Sequence, residues 1–107
     1  MAKVISIGEV MVEFSRGADA RYGLGIGGDT FNTAVYLARA GVDISYCTAL
    51  GEDPYSEGIM SMAAAENVKT DLVIRVPGRM PGIYTIETDS RGERRFHYWR
   101  DNSPARD

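Results

Sequence analysis

The 107-residue sequence has a single cysteine, Cys47, and a single histidine, His97. One cysteine excludes an intrachain disulfide and is typical of proteins in a reducing cytoplasm. No apolar run approaches the roughly 20 residues that a membrane-spanning helix needs, and Met1-Ala2-Lys3 leads directly into a predicted strand without the pattern of a signal peptide. The net charge of −3 lacks the basic excess of nucleic-acid-binding domains. We therefore expect a cytoplasmic protein with neither a membrane nor a nucleic acid as partner.

Glycine, in contrast, is concentrated in the segment Gly25-Ile26-Gly27-Gly28, just ahead of the first predicted helix. Apolar residues then recur at helical spacing as far as Gly41, which is placed to end the helix in a left-handed conformation. Asp29 or Thr30 is expected to cap the first turn through a side-chain oxygen. A flexible glycine loop before free backbone N–H groups would suit hydroxyls, carboxylates or phosphates. The same pattern also occurs in an ordinary turn before a surface helix.

The other elements predict an α/β fold with parallel strands and right-handed crossovers. Short β-branched and apolar runs predict strands at 4–8, 42–50 and 72–76, and residues 11–14 either extend the first strand or start another. Asp53-Pro54 predicts the start of a second helix that ends near Asn67. After Pro81-Gly82 the pattern changes to an antiparallel hairpin. The polar tail at 101–107 is expected to be unanchored.

A three-residue loop at 90–92 determines the expected register of that hairpin. Gly92 would take the left-handed position of a bulged turn, and Tyr84 would then lie opposite Tyr98. The same register pairs Ile86 with Phe96 and Glu87 with Arg95. The face that carries Tyr84, Ile86, Thr88, Arg94, Phe96, Tyr98 and Arg100 is the more apolar one, so we predict that it points inward.

On this register Tyr84, Tyr98 and Arg100 converge on one face. The planar fork of an arginine forms two charge-assisted hydrogen bonds with a carboxylate, so this face would suit a small polar acid. The alternative is that the tyrosines are half-buried sheet residues and that Arg100 extends to solvent.

Several other polar residues are weaker candidates. Glu9 and Glu13 follow the first strand, where ligands gather in open α/β sheets, but solvated carboxylates are the favoured interpretation. His97 has no cysteine or carboxylate at metal-ligand spacing, so we interpret it as a surface strand residue rather than as a base or metal ligand. Cys47 is interpreted as a small core residue rather than as a nucleophile. We expect no metal site and no catalytic residue in this chain.

With these motifs in view, the chain resembles the N-terminal part of the ribokinase-like (phosphofructokinase-B) carbohydrate kinases, and most closely the branch that phosphorylates 2-keto-3-deoxygluconate. The resemblance covers residues 4 to about 102. The matching segments are Gly8-Glu9-Val10-Met11-Val12-Glu13-Phe14, Gly27-Gly28-Asp29-Thr30-Phe31-Asn32-Thr33, Thr48-Ala49-Leu50-Gly51-Glu52-Asp53, Arg79-Met80-Pro81-Gly82-Ile83-Tyr84, Glu87-Thr88-Asp89-Ser90-Arg91-Gly92-Glu93-Arg94 and Tyr98-Trp99-Arg100. Thr30 departs from the family pattern, which usually has a small residue at that position.

The resemblance implies a Rossmann-like α/β domain with a small antiparallel β lid. Residues 1–107 would form its N-terminal sugar-binding part, with the lid contributed by about 11–26 and 70–100. It implies ATP-dependent transfer of a phosphate to the 6-position of 2-keto-3-deoxygluconate, and lids that pair between subunits, hence a possible homo-oligomer. The substrate-binding residues that it implies are Gly28, Asp29, Thr30, Phe31, Asn32, Tyr84, Tyr98, Trp99 and Arg100.

The family's catalytic aspartate, in a Gly-Ala-Gly-Asp motif, and its binding residues for ATP and Mg²⁺ belong to the C-terminal half, and no matching segment is present in this sequence. We therefore expect a fragment of a longer kinase that is inactive by itself and leaves apolar sheet faces bare. Two alternatives stay open. One is a fructokinase or another sugar kinase of the family, and the other is a non-catalytic fragment that binds sugar or dimerises.

Overall fold

The computed structural model describes residues 3–107, and it has the predicted α/β class. No helix in this range is long and apolar enough to cross a membrane. The strands are β1 (Lys3–Ile7), β2 (Met11–Arg16), β3 (Tyr22–Gly27), β4 (Asp43–Leu50), β5 (Val73–Arg75), β6 (Ile83–Thr88) and β7 (Arg94–Trp99). The helices are α1 (Asp29–Arg39) and α2 (Pro54–Ala65), and a short 3-10 helix covers Pro104–Arg106.

The first sheet is parallel throughout, as predicted, with the strand order β1-β4-β5. Alternate residues of β4 are buried, and Ile44, Tyr46 and Leu50 form one core cluster with apolar residues of α1 and α2. The other face of the sheet is bare, since Ile5 and Ile74 are 57% and 63% exposed. We predicted such a bare face for an incomplete domain. A parallel sheet is normally covered on both sides, so a sheet that lacks part of its domain leaves one side uncovered.

The second sheet has the order β3-β2-β6-β7. β2 pairs with β6 in parallel, and the other two pairs are antiparallel. Residues 11–14 therefore start a separate strand rather than extend β1. The expectation of a flexible loop at Gly25–Gly27 is wrong, because these three residues form the end of β3 and pair with Glu13, Val12 and Met11.

The hairpin between β6 and β7 has the predicted register. Tyr84 lies opposite Tyr98, Ile86 opposite Phe96, and Glu87 opposite Arg95. Gly92 has φ 82°, and the backbone N–H of Asp89 donates to the carbonyl of Glu93 at 2.9 Å. The short loop and its left-handed glycine thus determine the register, as the sequence predicted.

The two helices begin differently. The Asp53 carboxylate accepts from the backbone N–H groups of Tyr55 and Ser56 at 3.1 Å, which confirms the predicted cap of α2. The predicted capping of α1 by Asp29 or Thr30 is wrong, because the N-cap is Gly28 and it has no side-chain cap. Thr30 instead uses its hydroxyl in a tertiary contact described below. Gly41 has the expected left-handed conformation after α1, with φ 86°.

The inward orientation predicted for the aromatic hairpin face is wrong for β7. Phe96 and Tyr98 are 45% and 53% exposed, and only Tyr84 is buried. β7 is the edge strand of the second sheet, and within residues 3–107 no further layer packs over it. The face therefore forms the open wall of a cavity rather than part of the core.

The prediction of an unanchored tail is also wrong. Ser103 is 3% exposed, and its hydroxyl donates to Glu9 Oε2 at 2.6 Å. The Arg79 guanidinium donates to the carbonyl oxygens of Asn102 and Ser103 at 3.0 and 2.9 Å. These contacts join residues far apart in the sequence, so the local polarity of the tail did not indicate them.

Candidate functional site

A cavity of about 420 Å³ opens between the start of α1 and one face of the second sheet. Its volume lies in the range of small-molecule sites. Six of the residues predicted from the sequence line it: Gly28, Asp29, Asn32, Tyr84, Tyr98 and Arg100. The other lining residues are Met11, Glu13, Ile86, Arg94 and Phe96. Thr30, Phe31 and Trp99 lie outside it.

The start of α1 approaches the cavity closely because its N-cap is a glycine. Gly28 has φ 127°, and a Cβ at this position would lie 2.6 Å from the backbone oxygen of Glu9. Any other residue would be strained there and would collide with the chain after β1. Asp29 and Asn32, one turn apart on α1, consequently present their polar side chains to the cavity.

Thr30 and Phe31 hold this helix start against the first sheet. The hydroxyls of Thr30 and Tyr46 are 2.8 Å apart, and Ser6 Oγ donates to the carbonyl of Thr30 at 2.8 Å. Phe31 is 1% exposed and meets the Tyr46 ring edge-to-face, with 5.3 Å between centroids. Burial raises the pKa of Tyr46 to about 12, so its hydroxyl stays protonated and able to bond Thr30.

On the opposite wall, Tyr84 donates its hydroxyl proton to Glu13 Oε1 at 2.6 Å. A Cβ on Gly27 would lie 2.0 Å from the Tyr84 oxygen, so the bare backbone of β3 makes room for this hydroxyl. Burial, together with the hydrogen bond to Glu13 and its negative charge, raises the pKa of Tyr84 above the ordinary tyrosine value. Tyr84 is thus a fixed, neutral phenol.

Arg100 lies at the other end of the same wall. Its guanidinium carbon is 5.7 Å from the centroid of the Tyr98 ring, a cation–π contact, and its Nη1 is 3.7 Å from Glu9 Oε1. The Ser103 hydroxyl orients the other oxygen of Glu9. Glu9 therefore does not act as a solvated carboxylate, but as a partly buried partner of Arg100 and of the tail.

Comparison with known proteins agrees with this geometry. Residues 1–107 match the family model described as pfkB family carbohydrate kinase. The chain belongs to this family. A 2-dehydro-3-deoxygluconokinase from Dickeya dadantii (strain 3937) is 50% identical to it over 105 residues, which are 94% of this chain and 33% of that protein. The chain therefore spans about a third of the length of the curated relatives that it matches.

Solved structures of pfkB and related sugar kinases have the same fold. The crystal structure of a 2-dehydro-3-deoxygluconokinase from Thermotoga maritima is 28% identical, with a TM-score of 0.89 over 98% of this chain and 34% of its own. A fructokinase from Xylella fastidiosa, solved with bound ATP, is 23% identical, with a TM-score of 0.87 over 96% of this chain and 32% of its own. At that identity the likeness shows the fold alone.

Among residues 3–107 of this pfkB chain, no three His, Cys, Asp or Glu side chains are gathered as a metal ion would require. The cavity also has no lysine, and its two carboxylates, Glu13 and Asp29, offset the positive charge of Arg94 and Arg100. The described residues thus do not form a site suited to ATP with Mg²⁺.

The remaining candidates do not line the cavity. Trp99 is 61% exposed and lines a neighbouring opening of about 370 Å³, which shares Tyr98 and Arg100 with the cavity. His97 is exposed on β7, with its Nε2 3.9 Å from Glu87 Oε2, as expected of a surface strand residue. Cys47 is partly buried on the bare face of β4 rather than in the core.

Sequence reasoning underestimated the acidic part of the cavity. The interpretation of Glu13 as a solvated carboxylate is wrong, because Glu13 lines the cavity and accepts a hydrogen bond from Tyr84. In the sheet Glu13 lies opposite Gly25 of β3 and beside Tyr84 of β6. The sequence indicated neither β3 nor the parallel pairing of β2 with β6, so it gave no signal for this position. Met11 and Arg94 were not named as candidates either.

Proposed function

We propose that this chain is the sugar-binding part of a longer ATP-dependent kinase that phosphorylates 2-keto-3-deoxygluconate, also called 2-dehydro-3-deoxygluconate, at its 6-hydroxyl. The observation that supports this most directly is the cavity itself, where the polar start of α1 faces a sheet wall with an arginine at each end of β7, Arg94 and Arg100. Membership in a carbohydrate kinase family and the 50% identity to a 2-dehydro-3-deoxygluconokinase give independent support.

Each group has a chemical role in this proposal. Arg100 binds the substrate carboxylate through charge-assisted hydrogen bonds, and stacking on Tyr98 keeps its guanidinium in place. Asp29 and Asn32 bind sugar hydroxyls, and Gly28 lets the substrate approach the backbone. Thr30 and Phe31 position the helix start from behind rather than touching the sugar. Trp99 would contact the substrate only if the hairpin moved, and the second sheet would act as the lid.

The phosphate donor and the catalytic base are assigned to the remainder of the longer enzyme. Phosphoryl transfer needs a cation to neutralise the transferring phosphate and a group to accept the hydroxyl proton. We propose that ATP and Mg²⁺ bind there, in a cytoplasmic enzyme, and that the 107-residue chain by itself is inactive.

The test is a kinase assay on the full-length enzyme with 2-keto-3-deoxygluconate, fructose and ribose as substrates. We expect the sugar acid to give the highest kcat/KM. Arg100→Ala should raise KM for the acid roughly 10- to 100-fold, since a hydrogen bond between charged groups contributes about 1.5–3 kcal/mol. Arg95→Ala is the matched control, because Arg95 lies on the opposite face of β7. A preference for fructose or ribose would contradict the substrate assignment.

A fructokinase or another sugar kinase of the family is the near alternative. The same Arg100→Ala variant distinguishes it from the first proposal, because a neutral sugar has no carboxylate that Arg100 could bind. An unchanged KM for the preferred sugar in this variant would favour the alternative.

The exposed edge of the second sheet favours one further possibility, that the chain dimerises through it. All residues of β7 are exposed, and edge strands readily pair with another chain. Size-exclusion chromatography with light scattering on the 107-residue chain, with and without the sugar acid, would distinguish a dimerising or merely sugar-binding fragment from a monomer without affinity.

A further inference from the structure

We propose that Glu13, by accepting the hydrogen bond of the Tyr84 hydroxyl, leaves the Tyr84 oxygen to accept a hydrogen bond from a substrate hydroxyl, and that this oxygen does not contact the substrate carboxylate. The inference deepens the proposed function and rests on it. It divides the cavity into a part that binds substrate hydroxyls, formed by Glu13 and Tyr84, and an end that binds the substrate carboxylate, formed by Arg100.

The strand register brings Glu13 and Tyr84 together. β2 and β6 run in parallel with these residues as direct neighbours, so both side chains project from the same face of the sheet. The 2.6 Å separation between Tyr84 Oη and Glu13 Oε1 is typical of an O–H donor and a charged acceptor. The backbone of Gly27 closes one side of the hydroxyl, and the rings of Phe96 and Tyr98 pack 6.1 and 5.9 Å from the Tyr84 ring.

The numbers of protons and lone pairs on the hydroxyl determine which hydrogen bonds Tyr84 can form with a ligand. A phenol has a single proton and two lone pairs. The pKa of Tyr84 is raised, so the proton stays on its oxygen, where it is already used in the hydrogen bond to Glu13. A carboxylate offers only acceptors, so it cannot bond a hydroxyl whose proton is committed elsewhere. A sugar hydroxyl can donate to the remaining lone pair.

Charge supports the same orientation of the substrate. Glu13 and Asp29 line the cavity together with two arginines: Arg100 follows the C-terminal end of β7, two residues beyond Tyr98, and Arg94 begins the same strand. In residues 3–107 the second Glu13 oxygen, Oε2, has no hydrogen-bond partner, so it is a further acceptor for a hydroxyl. A substrate carboxylate is repelled by Glu13 and Asp29 and attracted to the arginines. Charge therefore also favours a position of the carboxylate away from Tyr84.

The experiment compares dissociation constants of the full-length enzyme for 2-keto-3-deoxygluconate and for its neutral carboxamide. Tyr84→Phe should weaken both ligands by the same factor, roughly 3- to 10-fold, the usual worth of a neutral hydrogen bond. Arg100→Ala should weaken the acid much more than the amide. Tyr55→Phe is the matched control, because Tyr55 lies on α2 away from the cavity and its hydroxyl is not used there.

A loss for the acid alone in Tyr84→Phe would overturn the inference, since Tyr84 would then read the carboxylate. An unchanged affinity for both ligands would overturn it as well. If Tyr84→Phe fails to fold, Glu13→Gln serves as the second variant. Removing the negative charge should raise the affinity for the acid relative to the amide. A selective loss of affinity for the acid would contradict the proposal. Absence of sugar-acid binding by the unmodified enzyme would instead refute the proposed function.

Discussion

Gly27→Ala tests how the cavity is built, because Gly27 leaves the space that the Tyr84 hydroxyl occupies. A Cβ at this position would lie 2.0 Å from Tyr84 Oη, whereas ordinary contacts begin at 3.4 Å. The phenol must therefore move by more than about 1 Å, which stretches its 2.6 Å hydrogen bond to Glu13 beyond bonding range. Movement is possible, because Phe96 and Tyr98 on the other side of the ring are themselves partly exposed.

The expected loss follows from two contributions. Overpacking by a methyl group costs roughly 1–3 kcal/mol, and a hydrogen bond to a charged acceptor is worth about 1.5–3 kcal/mol. The two describe the same displacement and do not add, so we expect the free energy of unfolding to fall by about 2 kcal/mol. Affinity for the sugar acid should fall roughly 10-fold, because the Tyr84 oxygen, the proposed acceptor for a substrate hydroxyl, is displaced.

Urea denaturation and isothermal titration of the full-length enzyme measure the two quantities. Gly23→Ala is the matched control: Gly23 lies on the same strand and face, and a Cβ there would meet nothing within 4 Å. In a Tyr84→Phe background, Gly27→Ala should cost much less stability, because the colliding oxygen is gone and the nearest ring carbon, Cζ, lies 3.1 Å from the added Cβ. Equal effects of Gly27→Ala and Gly23→Ala would refute the reasoning.

Three further predictions concern the stability of the folded state, and chemical denaturation of each variant measures it. The pKa of Tyr46 is raised from 10.0 to about 12, so the folded state keeps a proton that the unfolded state loses, and stability should fall between pH 10 and 12. Tyr46→Phe should reduce this loss of unfolding free energy by roughly 2–3 kcal/mol, and an unchanged pH profile would contradict the assignment. Asp53→Ala should cost about 1 kcal/mol through loss of the α2 cap, whereas Glu52→Ala, at the exposed neighbouring position, should cost nothing measurable; equal losses would refute the capping role. Thr48→Val should stabilise the protein by about 1 kcal/mol, because the buried Thr48 hydroxyl has no hydrogen-bond partner within residues 3–107, and a loss of stability would reveal a partner for it.

The parts of the fold that could be predicted depend on local signals. The Asp53-Pro54 pair predicts a helix start because both residues act within one turn, and the helix begins there. The left-handed Gly92 predicts the hairpin register for the same reason. The order of strands and helices predicts a parallel sheet through connection rules that need no knowledge of side-chain contacts.

The parts that could not be predicted depend on distant partners. Asp29 is a good capping residue by propensity, but the backbone of Glu9 leaves room only for Gly28 at the N-cap. Ser103 is polar and near the chain end, yet it is buried because Glu9, far away in the sequence, accepts its hydroxyl proton. In both cases a tertiary contact outweighs the local preference.

β3 shows most clearly how the site depends on a segment that sequence patterns describe poorly. Its glycines alternate, at Gly23, Gly25 and Gly27, so one face of the strand has no side chains at all. Propensity scales treat this composition as a loop, because glycine is depleted in strands. Pairing with β2 nevertheless holds the segment extended, and the bare face then leaves space beside Glu13 for its carboxylate and for the Tyr84 hydroxyl. The feature that conceals the strand from sequence analysis is therefore the feature that makes room for the proposed site.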